Sequence, residues 1–264
     1  MASPNIYQSG LSSSGPTIAT ETGCYFSGGI QWLDTVNGND ANAGTDRELP
    51  VKTLAQAVTN SAANGLIVIE AGSYETLSSS QSLSLAGLSI IGLGTGSTRP
   101  RYTCSGTVDL FSITGAGVRV YNMYFPASTA AAASRIKTAA AETEINGCYF
   151  ECGASDTGAA MLVAASGTNC RIINCSTVVT ASRPAIGLSC TGAVTDLYVK
   201  NLTVDGGSYG WTDYAVKVSA AATRMLFDGV TLLNRSDLGV TVTATTYKFF
   251  GIDPDPSCRV VITA

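Results

Sequence analysis

Thr143-Glu144-Ile145-Asn146-Gly147-Cys148 and Cys170-Arg171-Ile172-Ile173-Asn174-Cys175 are two copies of one pattern. Each is a short apolar alternation that runs into Gly or Asn and resumes on an apolar residue. Working outward, the same pattern recurs with its turn residue at Gly92, Asn122, Gly147, Asn174, Asn201, Gly229 and Gly251, at intervals of 30, 25, 27, 27, 28 and 22. Two places before the turn stand Ile90, Val120, Ile145, Ile172, Val199, Phe227 and Phe249; one place after it stand Leu93, Met123, Cys148, Cys175, Leu202, Val230 and Ile252. Alternate side chains of a strand point to opposite faces, so these two columns share an inward phase on either side of a bend. Gly and Asn are the residues that tolerate a left-handed bend.

Earlier strands complete each unit: Phe111–Ile113, Leu162–Ala164, Ile186–Leu188, Val216–Val218 and Val240–Val242. Two or three short strands in a period near 27 describe one coil of a parallel β-helix, in which each coil hydrogen-bonds the next. A leucine-rich repeat has a similar period, but the units lack its Leu/Asn or helical signature. The expected fold is therefore all-β: a right-handed parallel β-helix of about seven coils. Before the coils, Thr53-Leu54-Ala55-Gln56 fits a capping box, and Leu54, Ala57 and Val58 follow at helical spacing. That predicts a short helix closing the open end of the stack. Leu66–Ile69 reads as the first buried strand.

Trp32-Leu33-Asp34, Asn37-Gly38-Asn39-Asp40, Gly44-Thr45, Pro50, Lys52-Thr53-Leu54-Ala55 and Ala71-Gly72-Ser73-Tyr74 together resemble the opening segment of right-handed single-stranded β-helix proteins of the pectate-lyase-like superfamily. The resemblance covers residues 30–264 as a pattern. It implies the fold and leaves function open among polysaccharide lyases, glycosidases, phage tailspikes and non-enzymatic virion proteins. Residues 31–264 then form the β-helix domain. Residues 1–30, rich in Ser, Gly and Thr with Glu21 as their one charge, form an extended N-terminal arm.

Composition excludes several chemistries. There is no His, which removes Ser-His-Asp and Cys-His catalysis and His-ligated metals. With 15 basic against 19 acidic residues, net −4, and no basic block, neither nucleic acid nor an anionic membrane is an expected partner. No apolar run reaches the length of a membrane span. The N-terminus has neither a basic nor an apolar secretion region, so the eight cysteines are expected to be reduced, and no CxxC pair suggests zinc. Cys148 and Cys175 share the inward column and should stack.

Three groups could carry function. Asp34, Asn37 and Asp40 are oxygen-bearing residues on one loop, an alternative calcium site to the ordinary turn role. Glu151 and Asp205 each lie four places past a turn, two coils apart; roughly 9.6 Å would separate their backbones, near the upper limit for an inverting glycosidase pair. Tyr121, Tyr124 and Tyr149 stand near enough to stack on sugar rings, although unequal loops could break that column. Outward of the first strand, Ile91, Tyr121, Ile173 and Phe250 form an apolar stripe, a candidate interface. No cofactor is implied.

The expected function is a non-enzymatic structural virion protein. It would be a capsid decoration or cement protein that binds the major capsid protein on the outer surface of a phage head as a homotrimer. The alternative is a tailspike or related polysaccharide-binding or depolymerising β-helix protein, a glycosidase-type enzyme.

Overall fold

The computed structural model describes residues 27–128, 132–153, 156, 158–181, 186–210, 214–218, 222–233, 240–242, 246–250, 253–254 and 260–262. Most of the N-terminal arm, the last predicted turn at Gly251 and Ile252 lie outside them. The chain winds as a right-handed parallel β-helix whose three faces are continuous parallel sheets. The first face begins with Ile30–Leu33 and then takes one strand per rung: Leu66–Ile69, Ser89–Gly92, Arg119–Tyr121, Glu144–Asn146, Arg171–Ile173, Tyr198–Lys200, Thr223–Asp228 and Thr246–Phe250. The second face runs from Tyr74–Leu77 to Asp253–Pro254, and the third from Gln81–Leu83 to Val260–Ile262, each with eight strands.

Eight rungs thus form where the turn residues announce seven. The additional rung begins at Leu66–Ile69, which passes to the second face through residues 70–73 rather than through a lone Gly or Asn. Every pairing is parallel. In the first face Ile67, Ile90, Val120, Ile145, Ile172, Val199 and Phe227 lie above one another in register, all buried. Phe111, Phe125 and Phe150 stack across the interior, Phe125 on Phe150 at 5.0 Å.

The corner between first and second faces is left-handed as the sequence implies: φ is 56° at Asn122, 65° at Gly147, 53° at Asn174, 50° at Asn201 and 65° at Gly229. Gly92 departs from the pattern. Its φ is not positive, because residues 93–100, including a 3-10 turn at Gly96–Thr98, replace the tight bend. Gly is required there for space: a Cβ would stand 2.7 Å from the Asn122 carbonyl oxygen. Leu93 accordingly misses the interior column and packs on the outside with Trp32 and Ile91.

A helix, α1 (Leu54–Asn60), sits at the start of the stack with Leu54 and Ala57 buried against the first coil. Thr53 Oγ1 accepts from the Gln56 N–H at 3.2 Å, as the capping box predicts, but Gln56 turns its amide to Asn60 Oδ1 instead of reaching back. Acids take up further N–H groups at this end. Glu75 Oε2 accepts from the Leu54 N–H at 3.0 Å, and Asp40 accepts from the N–H groups of Lys52 and Thr53.

Candidate functional site on the second face

The second face carries an outward cluster of aromatic and basic side chains. Tyr74, Arg101, Tyr124 and Tyr149 occupy one register position on four successive rungs. The Arg101 guanidinium lies over the Tyr74 ring at 5.3 Å, and Tyr124 meets Tyr149 edge to face at 5.4 Å. Beside the two tyrosines a cleft of about 340 Å³ is bounded by Gly96, Ser97 and Arg99. Its wall exists because residues 93–100 are extruded between the faces of the second rung.

Glu151 and Asp205 share the neighbouring column. Glu151 is in register with Val178, and Val178 with Asp205, so the alignment survives the unequal loops. The two acids are separated by a whole rung filled with an apolar side chain. Each is also engaged locally. Glu151 accepts from the Tyr124 hydroxyl and from the Ala127 N–H at 3.5 Å; Asp205 Oδ1 accepts from the Gly207 N–H at 2.8 Å. Burial raises the Tyr124 phenol well above its ordinary value, and the Glu151 carboxylate adds to the rise. Burial likewise raises Tyr149, with Glu151 and Asp205 contributing. Both shifts favour the protonated phenol.

The loop at 34–42 is built as turns. Asp34 Oδ1 accepts from the N–H groups of Val36 and Asn37, and Oδ2 from the Asn37 amide at 2.9 Å. Partial burial opposes ionisation of Asp34, but those three hydrogen bonds outweigh it and hold the carboxyl below its usual value. Both oxygens of Asp40 are taken up by Lys52 and Thr53. Among the described residues no three Cys, Asp or Glu side chains converge as metal ligands.

On the first face, Ile91 and Tyr121 belong to a small outer cluster with Trp32, Leu66 and Val68, and each is 5% exposed. Ile173 is half-buried farther along the same column, and the Phe250 side chain lies outside the described residues.

On the third face the sequence announced most of the strands but not the charged pairs they carry. There Asp109 accepts from Ser134 Oγ at 2.7 Å and pairs with Lys137 Nζ at 3.0 Å. Arg135, 1% exposed, pairs with Asp156 at 2.7 Å. The space beside this pair is too small for a water molecule, and burial raises Asp156 despite the opposing charge of Arg135. The only advance signal was an Arg and a Lys on either side of Ile136 in Ser134–Thr138. The Asp partner is remote in sequence, so its approach could not be read.

A family model described as a protein of unknown function, DUF1565, matches residues 36–114, the closing helix and first two rungs. No curated protein matches the chain. Among solved structures it is similar to a rhamnogalacturonan lyase, at 12% identity and a TM-score of 0.55, over 85% of this chain and 56% of that one. It is also similar to the pectate lyase Pel9A, at 11% identity and a TM-score of 0.50, over 91% of this chain and 80% of that one. The chain has the fold of these lyases. It spans little more than half the length of the rhamnogalacturonan lyase, and at such identities the likeness is one of architecture, because function resides in sites and not in folds.

Proposed function

We propose that this chain is a non-enzymatic structural protein of a phage virion, a capsid decoration protein that self-associates as a trimer and seats on the major capsid protein at the outer surface. One observation carries the contact role. Of the five large apolar side chains left exposed among the described residues, Val36 and Leu49 lie in the loop before α1, whereas Tyr74 and Leu233 lie on the second face and Tyr209 on the loop leaving it. With Arg101, Tyr124 and Tyr149 they give that face the Tyr- and Arg-rich character of protein contact hot spots. The neighbouring acids support the same reading, since both serve as local hydrogen-bond acceptors around an apolar Val178.

The test is a copy count on purified particles by quantitative mass spectrometry. Hundreds of copies per particle are expected, and the double variant Tyr74→Ala/Tyr149→Ala should reduce rebinding to stripped particles at least about tenfold. A handful of copies would place the protein in the tail and overturn the decoration role.

A second reading, a glycan-binding or glycan-cleaving β-helix, is favoured by a specific feature: Glu151 and Asp205 do share a column beside Tyr124 and Tyr149. On that reading Glu151→Gln and Asp205→Asn each abolish depolymerisation of host polysaccharide. Absence of turnover by the unaltered chain removes it.

A further inference from the structure

Cys148 and Cys175 are the described cysteines that occupy equivalent positions on adjoining rungs. Strand register brackets them: Asn146 pairs with Ile173 just before, and Tyr149 with Ser176 just after. The backbone between is fixed by two further bonds, Gly147 N–H to the Ile173 carbonyl and Ser176 N–H to the Cys148 carbonyl, both 3.0 Å. Both side chains point inward and are 1% exposed. In-register parallel strands place Cα atoms about 4.8 Å apart, within the range of about 4.4–6.8 Å that a disulfide spans. The other described cysteines are placed differently. Cys104 is in register with Leu77, Cys152 and Cys190 are in register with valines, and Cys170 stands one place before the Glu144–Arg171–Tyr198 pairing, level with Thr143 and Leu197.

We infer that Cys148 and Cys175 form an oxidation site, at which a small-molecule disulfide converts the thiol pair into a covalent staple between the fourth and fifth rungs. Access runs through the corner. Asn146, Gly147 and Asn174, the chain neighbours of the two thiols, line a surface groove of about 520 Å³, so this bend is the route by which an oxidant would approach. The two thiols are unequal. Burial disfavours both thiolates, but at Cys148 the hydrogen bond from Cys175, the backbone bonds and the Arg99 charge outweigh it, leaving this thiol below its ordinary value. Cys175 is held well above. Cys148 is therefore the attacking sulfur.

The exchange balances. Cys148 thiolate attacks one sulfur of the small disulfide, forming a mixed disulfide and expelling one thiolate. Cys175 then loses its proton and attacks the Cys148 sulfur, expelling the second thiolate. The two protein protons end on the two released small thiols.

The test incubates the reduced, folded full-length chain with excess oxidised glutathione, alkylates it in denaturant and maps the peptides by mass spectrometry. The expected result is a Cys148–Cys175 linked peptide lacking two hydrogens and carrying no glutathione, with a thermal midpoint several degrees above that of the reduced chain. Cys175→Ser, checked for native circular dichroism, should instead trap glutathione on Cys148. Recovery of both cysteines in alkylated form, while the denatured chain oxidises under the same conditions, overturns the site. So does linkage of either to Cys24 or Cys258.

Discussion

Two corners of the coil use one backbone solution and two different side-chain strategies. Between first and second faces, Asn122, Gly147, Asn174, Asn201 and Gly229 take the left-handed conformation. Between third and first faces the same is true of Asn64, Gly87, Gly117, Glu142, Asn169, Asp196 and Arg224, with φ between 52° and 71°. In both, the N–H of the left-handed residue donates to the carbonyl just before its counterpart on the next rung: Gly147 to Ile173 and Asn174 to Lys200 at one corner, Glu142 to Thr168 and Asn169 to Thr195 at the other. The first corner is reinforced by its own amides, Asn201 to Asn174 at 3.0 Å and Asn174 to Asn146 at 3.4 Å. The second tolerates Glu, Asp and Arg, and joins Arg224 to Asp196 by an ion pair across rungs. The bend is thus demanded by the wound backbone; Gly and Asn make it cheaper without defining it.

Three experiments press on that contrast. The largest effect belongs to Gly147→Val. A Cβ there would meet no atom closer than 3.9 Å, so space is available and the penalty is conformational. A β-branched residue at φ 65° should cost about 2 kcal/mol, read as a lower urea midpoint at unchanged slope. Arg224→Gly tests the converse. Relief of left-handed strain exceeds the loss of a surface ion pair, so stability should rise by about 0.5–1 kcal/mol. A fall of that size would mean that Asp196 and Arg224 hold the corner together.

How far the sequence was legible follows from the same contrast. The first corner announced itself because Gly and Asn recur there between apolar columns, and those columns gave the first face, the interior and the thiol stack. The second corner was silent, because Glu142, Asp196 and Arg224 carry no mark of their conformation. The Tyr74–Arg101–Tyr124–Tyr149 column was half-read. Tyr124 and Tyr149 each lie two places past a turn residue, whereas residues 93–100 intervene between Gly92 and Arg101, which hides the alignment. Buried pairs such as Arg135 with Asp156 join distant segments, and only the folded chain brings them together.

The smallest expected effect separates corner charge from buried charge. Burial raises the folded-state pKa of Glu75, with Asp40 adding to the rise and the Leu54 N–H opposing it, and burial also raises Asp156. An acid whose folded pKa exceeds its unfolded value takes up its proton first in the folded chain. Stability therefore increases as pH falls through the folded pKa, and levels off below the unfolded values of 4.5 for Glu and 3.8 for Asp. Urea midpoints at pH 7 and pH 5 should show a gain of about a few tenths of a kcal/mol. Glu75→Gln should reduce that gain, and Arg224→Gly should leave it intact.

The helix at the start of the stack gives the protein a polarity. A bare first coil offers unpaired amides and carbonyls on which another copy could grow, as fibrils do. Here α1 corks that end, its own donors satisfied by Thr53, Glu75 and Asp40. The apolar interior is thereby covered at the start of the stack, so among the described residues the hydrogen-bond ladder begins under a helix instead of at a bare coil.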